Sequence, residues 1–404
     1  MKRILGILII FFISCSEEEV EISEISIAKD NLIVDTHIDV PYRLWMQDSV
    51  GDQIDDISRL TLGDFDYERA VEGGLNIPFF SIYLPAETED LGTSFKMANQ
   101  LIDMIEDIIS QDQEKFFLIR SVKDAFSFPK NKLIGIALGM ENGSPLEGDL
   151  SRVQYFYDRG IRYITLTHSK SNHISDSSYD DNIQWGGLSE FGKKLVKEMN
   201  RVGIMIDISH VNDEAFYQAI NISEVPVIAS HSSLRHFTPG FERNVSDDML
   251  IKLADKGGVI HINFGSSFVS QKSREYDKKL QGYILENLAK EKKDLVKTDL
   301  PEDQVSFFRK EYLSSNPYPY ASIDDVIDHI DRVVQLVGID HVGIGSDFDG
   351  VGDTLPVDLK DVSMYPNLVT GLLKRGYNQA EIKKILSENT LRVWREAETY
   401  AESH

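Results

Sequence analysis

The stretch Asn31-Leu-Ile-Val-Asp-Thr-His37-Ile-Asp39-Val-Pro41 is the pattern from which the fold and the site are predicted. Its β-branched apolar run before a proline predicts a buried strand that ends at the histidine and the aspartate. Because side chains alternate along a strand, His37 and Asp39 share one face, where an imidazole and a carboxylate can bind a divalent cation such as zinc. A lone His-x-Asp is more often a hydrogen-bonded core pair, so the later strands must decide between the two interpretations.

Eight segments in all have the pattern of strands, and amphipathic helices separate them. The predicted strands are residues 31–39, 75–83, 133–140, 161–167, 203–209, 225–230, 257–264 and 340–346. Apolar residues recur at helical spacing over residues 97–109, 188–199 and 323–337. Strands that are each followed by a helix favour an α/β fold, a closed (β/α)₈ TIM-type barrel over residues 31–400, with an open doubly wound sheet as the alternative.

Two further segments extend this barrel. Residues 266–318, after the seventh strand, are rich in Lys and Glu with scattered aromatic side chains, which predicts a helical insertion near the barrel mouth that could act as a lid. A closing helix is predicted over residues 378–400, because Asn378 and Glu381 match a capping box ahead of apolar residues.

Composition excludes several classes of protein. The 404 residues are 42% apolar, enough for a sizeable core in one large domain or two smaller ones. A formal charge of −24 argues against a nucleic-acid partner and gives no reason to expect binding to anionic lipid heads. The single cysteine, Cys15, excludes an intramolecular disulfide and a cysteine-rich zinc site.

The N-terminus has the pattern of a targeting segment. Residues 1–15 combine a basic start with an apolar run too short to span a bilayer, which indicates a signal peptide. The end of the run, Ile13-Ser-Cys15, resembles a bacterial lipoprotein signal, which implies a lipid on Cys15 that anchors the chain to a membrane of the cell envelope, the outer membrane. A plain secretory signal is the alternative.

An acidic segment follows the cysteine. Residues 16–30 are predicted to be a tether, because their acidic and apolar residues show no clear period. Ser16-Glu-Glu-Glu19 resembles the tag that some bacterial groups use to export lipoproteins to the cell surface, although an acidic linker explains it almost as well.

The predicted strands end in side chains that can bind metal ions or carry protons. In a barrel these ends meet at one face. The set comprises His37, Asp39, Glu141, His168, His210, His231 and Asp347. Five of its members are enough to hold two divalent ions, with the glutamate between them: His37, Asp39, Glu141, His210 and His231. Because two metal ions can share a water, lower its pKa and stabilise an oxyanion, the pattern predicts a hydrolase.

Seven short motifs, spread in order over residues 31–395, carry a resemblance to one enzyme family. They are Asp35-Thr-His37-Ile-Asp39-Val-Pro41, Gly139-Met-Glu141-Asn-Gly143, Leu166-Thr-His168-Ser, Ile206-Asp-Ile-Ser-His210-Val, Ser230-His231-Ser-Ser233, Arg243-Asn-Val-Ser-Asp-Asp248 and Gly345-Ser-Asp347-Phe-Asp349-Gly350. Together they resemble the membrane dipeptidase (renal dipeptidase) family of the amidohydrolase superfamily. The resemblance implies a dizinc metallopeptidase that cleaves dipeptides by a metal-bridging hydroxide, in a family whose members often accept a D-residue at the C-terminal position.

The same resemblance implies a division of the metal ligands. One zinc ion would be bound by His37 and Asp39 and the other by His210 and His231. Glu141 would bind both ions and so belongs to the catalytic set as well.

It also implies roles for the remaining site residues. Asp347 would carry a proton from the attacking water to the leaving amine, and His168 would contact the substrate and steady the oxyanion. Arg243 would bind the free carboxylate of the dipeptide. Asp349 is expected to be structural, closing a turn with Gly350. Histidines outside the motifs receive no catalytic role: His173, His236, His261, His329 and His341.

Two other functions are weighed against this one. Another metal-dependent amidohydrolase, acting on cyclic amides or esters, would often use a His-x-His on the first strand and a carboxylated lysine, whereas this chain has His37-Ile-Asp39 and Glu141. A non-catalytic, peptide-binding surface lipoprotein would be expected to have lost a ligand or Asp347, and neither is missing. Some members of the family dimerise, so a homodimer is expected on similarity alone.

Overall fold

The computed structural model describes residues 24–130, 132–291 and 302–404. The predicted signal peptide with Cys15 and the first part of the predicted tether, residues 16–23, lie outside the described residues. Within the described ranges we find no helix with the length and apolar character needed to cross a bilayer.

The core of the fold is a closed barrel of parallel strands. The strands, numbered along the chain, are β1 Val34–Ile38, β2 Ile77–Tyr83, β3 Phe116–Leu118, β4 Ile134–Glu141, β5 Ile161–Thr165, β6 Met205–Asp207, β7 Ile228–Ala229, β8 Val259–Ile262 and β9 Val342–Ile344. Eight of them close a ring, since β2 pairs with both β1 and β4, while β9 pairs with both β1 and β8. Each predicted strand overlaps one barrel strand. The predicted (β/α)₈ barrel is therefore confirmed, and the open-sheet alternative, which would leave two edge strands, is wrong.

The ninth strand, β3, was not predicted. It pairs in parallel with the first part of β4, from Phe116 opposite Ile134 to Leu118 opposite Ile136, and takes no place in the ring. Only Phe116 of its three residues is buried. A segment this short shows no periodic pattern from which a strand could be predicted.

Helices surround the barrel and return the chain from the end of each strand to the start of the next. Those in the described residues are α1 Glu24–Asp30, α2 Val40–Ser49, α3 Tyr67–Gly73, α4 Glu87–Asp90, α5 Ser94–Gln111, α6 Val122–Ser127, α7 Ser151–Asp158, α8 Glu190–Val202, α9 Asp213–Ile222, α10 Asp247–Asp255, α11 Ser266–Val269, α12 Gln271–Glu291, α13 Glu302–Ser315, α14 Ile323–Val337, α15 Tyr365–Lys374, α16 Gln379–Lys383 and α17 Asn389–Ser403. Side chains of Ser189, Asn212 and Ser246 cap α8, α9 and α10 by accepting a backbone N–H of the first turn. These caps set the point where each loop at the mouth becomes a return helix.

The predicted helical insertion is confirmed in the described part of residues 266–318. It consists of α11, α12 and α13, and it separates β8 from its return helix α14. Helices α12 and α13 pack on each other through a small apolar cluster of their own, Leu280, Ile284, Leu288 and Phe308. The insertion therefore has its own core beside the barrel.

The predicted tether ends earlier than residue 30. Residues Glu24–Asp30 form α1, which buries Ile27 and Ala28 and packs against α15. A helix of two turns that buries two side chains leaves too little pattern in an acidic sequence to be predicted.

The C-terminal segment closes the other end of the barrel. The capping box at Asn378 and Glu381 is present, and the helical tail is confirmed, although residues Lys384–Glu388 form a π-helical turn between α16 and α17. From α17, the fully buried Trp394 packs edge-to-face on Phe79 inside the barrel, with 5.3 Å between ring centroids. The barrel interior is thus packed at the N-terminal ends of the strands, and a cavity lies at their C-terminal ends.

Candidate metal centre

A cavity of about 630 Å³ opens where the barrel strands end. The predicted site residues that line it are Asp39, Glu141, His168, His210, His231, Arg243 and Asp347. His37 is fully buried beside them. The structure thus brings together every predicted site residue except Cys15, which lies outside the described ranges.

Glu141, the last residue of β4, is at the centre of the cluster. Its Oε1 atom is 3.1 Å from Nε2 of His210, 3.2 Å from Nε2 of His231 and 3.5 Å from Nε2 of His168. Its Oε2 atom is 3.5 Å from Nε2 of His37. Four imidazoles from four different strand ends therefore converge on one carboxylate.

The donor atoms of this cluster fit divalent metal ions. Nε2 of His37 and Oδ1 of Asp39 are buried and have no hydrogen-bond partner in the described part of the chain. The same Nε2 is 3.4 Å from Oδ2 of Asp39. Because burying unpaired polar atoms is costly, and because imidazole nitrogens and carboxylate oxygens are the donors that zinc prefers, a bound cation accounts for this arrangement.

Three groups of side chains could each hold a metal ion, because the donor atoms within each group lie within 4.8 Å of one another. They are His37 with Glu141 and His231, then Glu141 with His168 and His210, then His37 with Asp39 and Asp347. These groups divide the residues differently from the ligand sets that the family resemblance implies. By distance alone His168 is as close to Glu141 as the implied ligand His37 is.

Electrostatics keeps His210 and His231 in the neutral form that binds metal. Burial lowers the pKa of His231 to about 3 and holds the pKa of His210 well below its usual value, and the nearby Arg243 adds to both shifts. A neutral imidazole keeps the lone pair that a metal needs. Although burial alone would raise the pKa of Glu141, His37 and the other imidazoles hold it well below its usual range, so this carboxylate is an anion.

A tyrosine fixes the ring of His37. The hydroxyl of Tyr163, from β5, lies 2.8 Å from Nδ1 of His37 and so leaves Nε2 to face Glu141. Tyr163 fits inside the barrel only because residue 139 is glycine, since a Cβ there would lie 2.0 Å from the Tyr163 ring. The ring orientation of a candidate ligand thus depends on two residues of the barrel interior.

Asp207, at the end of β6, orients two candidate ligands at once. Its Oδ1 atom accepts the backbone N–H of Ser209 at 3.0 Å and that of Ser230 at 2.8 Å, the residues just before His210 and His231. Its Oδ2 atom accepts the hydroxyl of Ser230 at 2.6 Å, and the same hydroxyl oxygen is 2.7 Å from Nδ1 of His231. A fully buried carboxylate therefore reaches a candidate ligand through one hydroxyl.

Asp347, after β9, is held in a strained backbone conformation. Its φ is +66°, and its backbone N–H donates to the carbonyl of His37 at 3.0 Å. The amide of Asn263 donates to its Oδ2 at 2.6 Å. A Cβ on residue 350 would lie 2.2 Å from Oδ2 of Asp39 and 2.3 Å from Oδ1 of Asp347, so any residue larger than glycine would displace these two carboxylates. Burial raises the pKa of Asp347, as a group that accepts and releases a proton requires.

Arg243 is a buried cation, and not all of its N–H donors are used in hydrogen bonds to the protein. It donates from Nη1 to Oγ of Ser232 at 2.6 Å and from Nη2 to the carbonyl of His231 at 2.8 Å. Its Nε is buried without a hydrogen-bond partner in the described residues. Since a guanidinium has five N–H donors, the side chain can still bind an anion in the cavity.

The residues that were assigned no catalytic role have other partners. Asp349 accepts the backbone N–H of Asp64 at 2.6 Å and lies 3.1 Å from Nε of Arg43, so it braces two loops at the mouth. Among the histidines outside the motifs, four make hydrogen bonds to residues outside the cluster: His173, His261, His329 and His341.

Tyr163, Asp207 and Asn263 are the site residues that the sequence analysis missed. Asp207 lies within a motif that was recognised, yet only the histidine of that motif received a role. The signal that could have identified Asp207 is a carboxylate within an apolar strand, because a buried carboxylate must accept hydrogen bonds from neighbouring residues. Neither Tyr163 nor Asn263 lies in a motif.

Comparison with known proteins gives one family. A family model described as membrane dipeptidase (peptidase family M19) matches residues 23–404. An uncharacterized dipeptidase of Schizosaccharomyces pombe is 30% identical over 397 residues, which cover 93% of this chain and 82% of that protein. Dipeptidase 3 of Mus musculus is 29% identical over 386 residues, which cover 94% of this chain and 67% of that protein.

Solved structures share the architecture. The probable dipeptidase PvdM of Pseudomonas aeruginosa superposes with a TM-score of 0.79 at 27% identity, covering 94% of this chain and 98% of that one. A metallo peptidase of Rhodobacter sphaeroides, solved with a phosphinate mimic of the dipeptide L-Ala-D-Ala, has a TM-score of 0.71 at 22% identity, with coverage of 91% and 99%.

We expect Asp207→Asn to weaken metal binding about 10- to 100-fold, because an amide cannot accept the hydroxyl and backbone donors as the carboxylate does. Competition between the purified protein and a chromophoric chelator for zinc or cobalt measures the affinity. Asp66→Asn is the matched control, since Asp66 is also fully buried and accepts two backbone N–H groups, but does not line the cavity. Equal affinities in the two variants would contradict the assigned role of Asp207.

Proposed function

Because the chain belongs to the membrane dipeptidase family, peptidase family M19, we propose that it is a zinc-dependent dipeptidase that cleaves dipeptides with a free C-terminus. The observation that carries this proposal is the joint presence, in one cavity, of a carboxylate ringed by imidazoles, a buried arginine and a buried aspartate of raised pKa. The cavity of about 630 Å³ is large enough for a dipeptide.

His37, Asp39, Glu141, His210 and His231 would hold two zinc ions. Zinc bound there would supply a water of lowered pKa as the nucleophile and positive charge beside the carbonyl oxygen.

The substrate would be held by its C-terminal carboxylate on Arg243. This side chain is pinned by Ser232 and by the carbonyl of His231, so its remaining donors have a fixed direction. A guanidinium fork matches a carboxylate in shape and charge. Arg243 is hydrogen-bonded to the backbone carbonyl of His231, which is a candidate metal ligand. It would therefore set the distance between the bound carboxylate of the substrate and the carbonyl that reacts at the metal centre.

Two side chains would act on the reacting atoms. Asp347 would take the proton of the attacking water and pass it to the leaving amine, which its raised pKa favours. The side chain of His168 is 19% exposed, against 6% or less for the other three imidazoles of the cluster, so it can contact substrate. Burial lowers the pKa of His168, and the neutral ring can donate its N–H to the developing oxyanion.

A D-residue at the C-terminal position is part of the proposal. A neighbour of the same fold was solved with a mimic of L-Ala-D-Ala, which supports the use of D-containing dipeptides as the first test substrates.

The N-terminus adds a proposed location. A lipid on Cys15 would hold the enzyme on the bacterial outer membrane, with residues 16–23 as the link to α1. Metabolic labelling with a radioactive fatty acid should label the wild-type protein and leave Cys15→Ser unlabelled. Label on both proteins, or on neither, would contradict the proposed anchor.

Hydrolysis of Gly-D-Phe by the chain lacking residues 1–20 tests the central reaction. We expect cleavage that stops with a chelator and returns with zinc. Asp347→Asn should lower kcat by about 10²- to 10⁴-fold, because the proton carrier is lost. A folded, zinc-loaded protein that leaves a panel of dipeptides intact would exclude a dipeptidase and turn the search to cyclic amides, esters or peptide binding.

Arg243→Met tests the carboxylate contact. Wild-type enzyme should prefer Gly-D-Phe to its C-terminal amide, and the variant should lose about 10- to 100-fold of that preference, since a charge-assisted hydrogen bond is removed. The ratio of the two kcat/KM values isolates the contact. If both substrates lose activity equally, Arg243 only braces the backbone of His231.

A further inference from the structure

The helical insertion forms one wall of the cavity that holds the candidate metal ligands. Ser267 and Phe268 of α11 and Asp277 of α12 line it together with Asp39 and Glu141. None of the three insertion residues belongs to the metal or proton-transfer set. Their position makes them candidates for contact with the rest of the substrate.

This wall lies on the Arg243 side of the cavity. The ring centroid of Phe268 is 5.4 Å from Cζ of Arg243, whereas the aromatic contacts of His168 and His210 are with Tyr83 and Tyr179. The side chain of a residue whose carboxylate is bound by Arg243 would therefore meet Phe268 first.

Asp277 lines the same wall of the cavity as Phe268. Its carboxylate is hydrogen-bonded to the side chain of Ser267, the neighbour of Phe268 in sequence, and accepts the hydroxyl of Tyr318 at 3.4 Å. A long side chain that crosses the Phe268 ring would bring its end group to this carboxylate.

The charge of Asp277 is not neutralised by a close partner. Among the described residues no Lys, Arg or His nitrogen lies within 4.0 Å of it. Arg274, one turn earlier on α12, instead stacks on Phe241 with its Cζ 3.6 Å from the ring centroid, and with Arg309 it acts on Asp277 only at longer range. Asp277 is half-buried, and this burial raises the pKa of its carboxyl group. A half-buried anion without an ion pair favours a cation from the cavity.

We propose that Asp277 binds a cationic side chain of the C-terminal residue, so that the enzyme selects dipeptides that end in a long basic residue. Phe268 supports the aliphatic stem of that side chain and Asp277 pairs with its ammonium or guanidinium group. The inference rests on the proposed dipeptidase function and on the carboxylate contact of Arg243. It gives the insertion a function in substrate selection.

The test compares lysine with norleucine, which has the same unbranched stem without the charge. We expect kcat/KM for Gly-Lys to exceed that for Gly-norleucine about tenfold in the wild-type enzyme, with both stereoisomers assayed. Asp277→Asn should bring this ratio close to one, and Asp277→Lys should reverse it in favour of Gly-Glu over Gly-Lys.

Glu275→Gln is the matched control, because Glu275 is an exposed acid on the same helix and does not line the cavity. It should keep the wild-type ratio, which excludes an effect of net charge alone. Circular dichroism and thermal melting of each variant exclude misfolding.

Three results would overturn the inference. One is a wild-type ratio near one. Another is a ratio that Asp277→Asn leaves unchanged while both rates fall, as expected if Asp277 binds the α-amino group or is only structural. The third is an equal change in Glu275→Gln. Failure of the proposed function itself is distinguishable, because an enzyme that is not a dipeptidase would cleave neither Gly-Lys nor Gly-norleucine.

Discussion

A carboxylate that is removed from water must be compensated, and this requirement governs the arrangement around Glu141. The side chain is 5% exposed and has four imidazole nitrogens within 3.5 Å. Two of those imidazoles, His210 and His231, are kept neutral by burial, and two more carboxylates, Asp39 and Asp347, lie in the same cavity. Buried carboxylates that converge with imidazole nitrogens form the donor set of a divalent metal ion, which is why we regard this cluster as a metal centre.

The same hydrogen-bond arrangement occurs at two places in the barrel and positions the candidate ligands around Glu141. Asp35, within β1, accepts the backbone N–H of His37 and that of Ser346, both at 3.0 Å. Asp207, at the end of β6, likewise accepts the N–H of the residue two positions on and one from the loop after a neighbouring strand. Each buried aspartate ties two strand ends together directly beneath the candidate ligands. One donor of each aspartate, Ser209 or Ser346, directly precedes a site residue with a left-handed backbone, His210 with φ of +70° and Asp347 with φ of +66°.

The sequence predicts the parts of the structure that follow a period, and misses those that depend on packing. Alternating and helical patterns identified all eight barrel strands and the capped C-terminal tail, composition identified the insertion, and the strand ends identified the side chains of the cavity. The short strand β3 and the helix α1 have too few buried residues to produce a pattern. Tyr163 and Asp277 are far in sequence from the side chains they adjoin in the site. Asp207 acts on His231 through the hydroxyl of Ser230. The roles of all three residues could therefore be recognised only in the structure.

The most direct test of this account is electron paramagnetic resonance of the manganese-loaded protein. If Glu141 bridges two ions about 3.5 to 4 Å apart, the wild-type spectrum should show a spin-coupled pair, and Glu141→Gln should show isolated ions of lower occupancy. A wild-type spectrum of uncoupled manganese, in protein that cleaves dipeptides at full rate, would contradict the bridged centre on which the account depends.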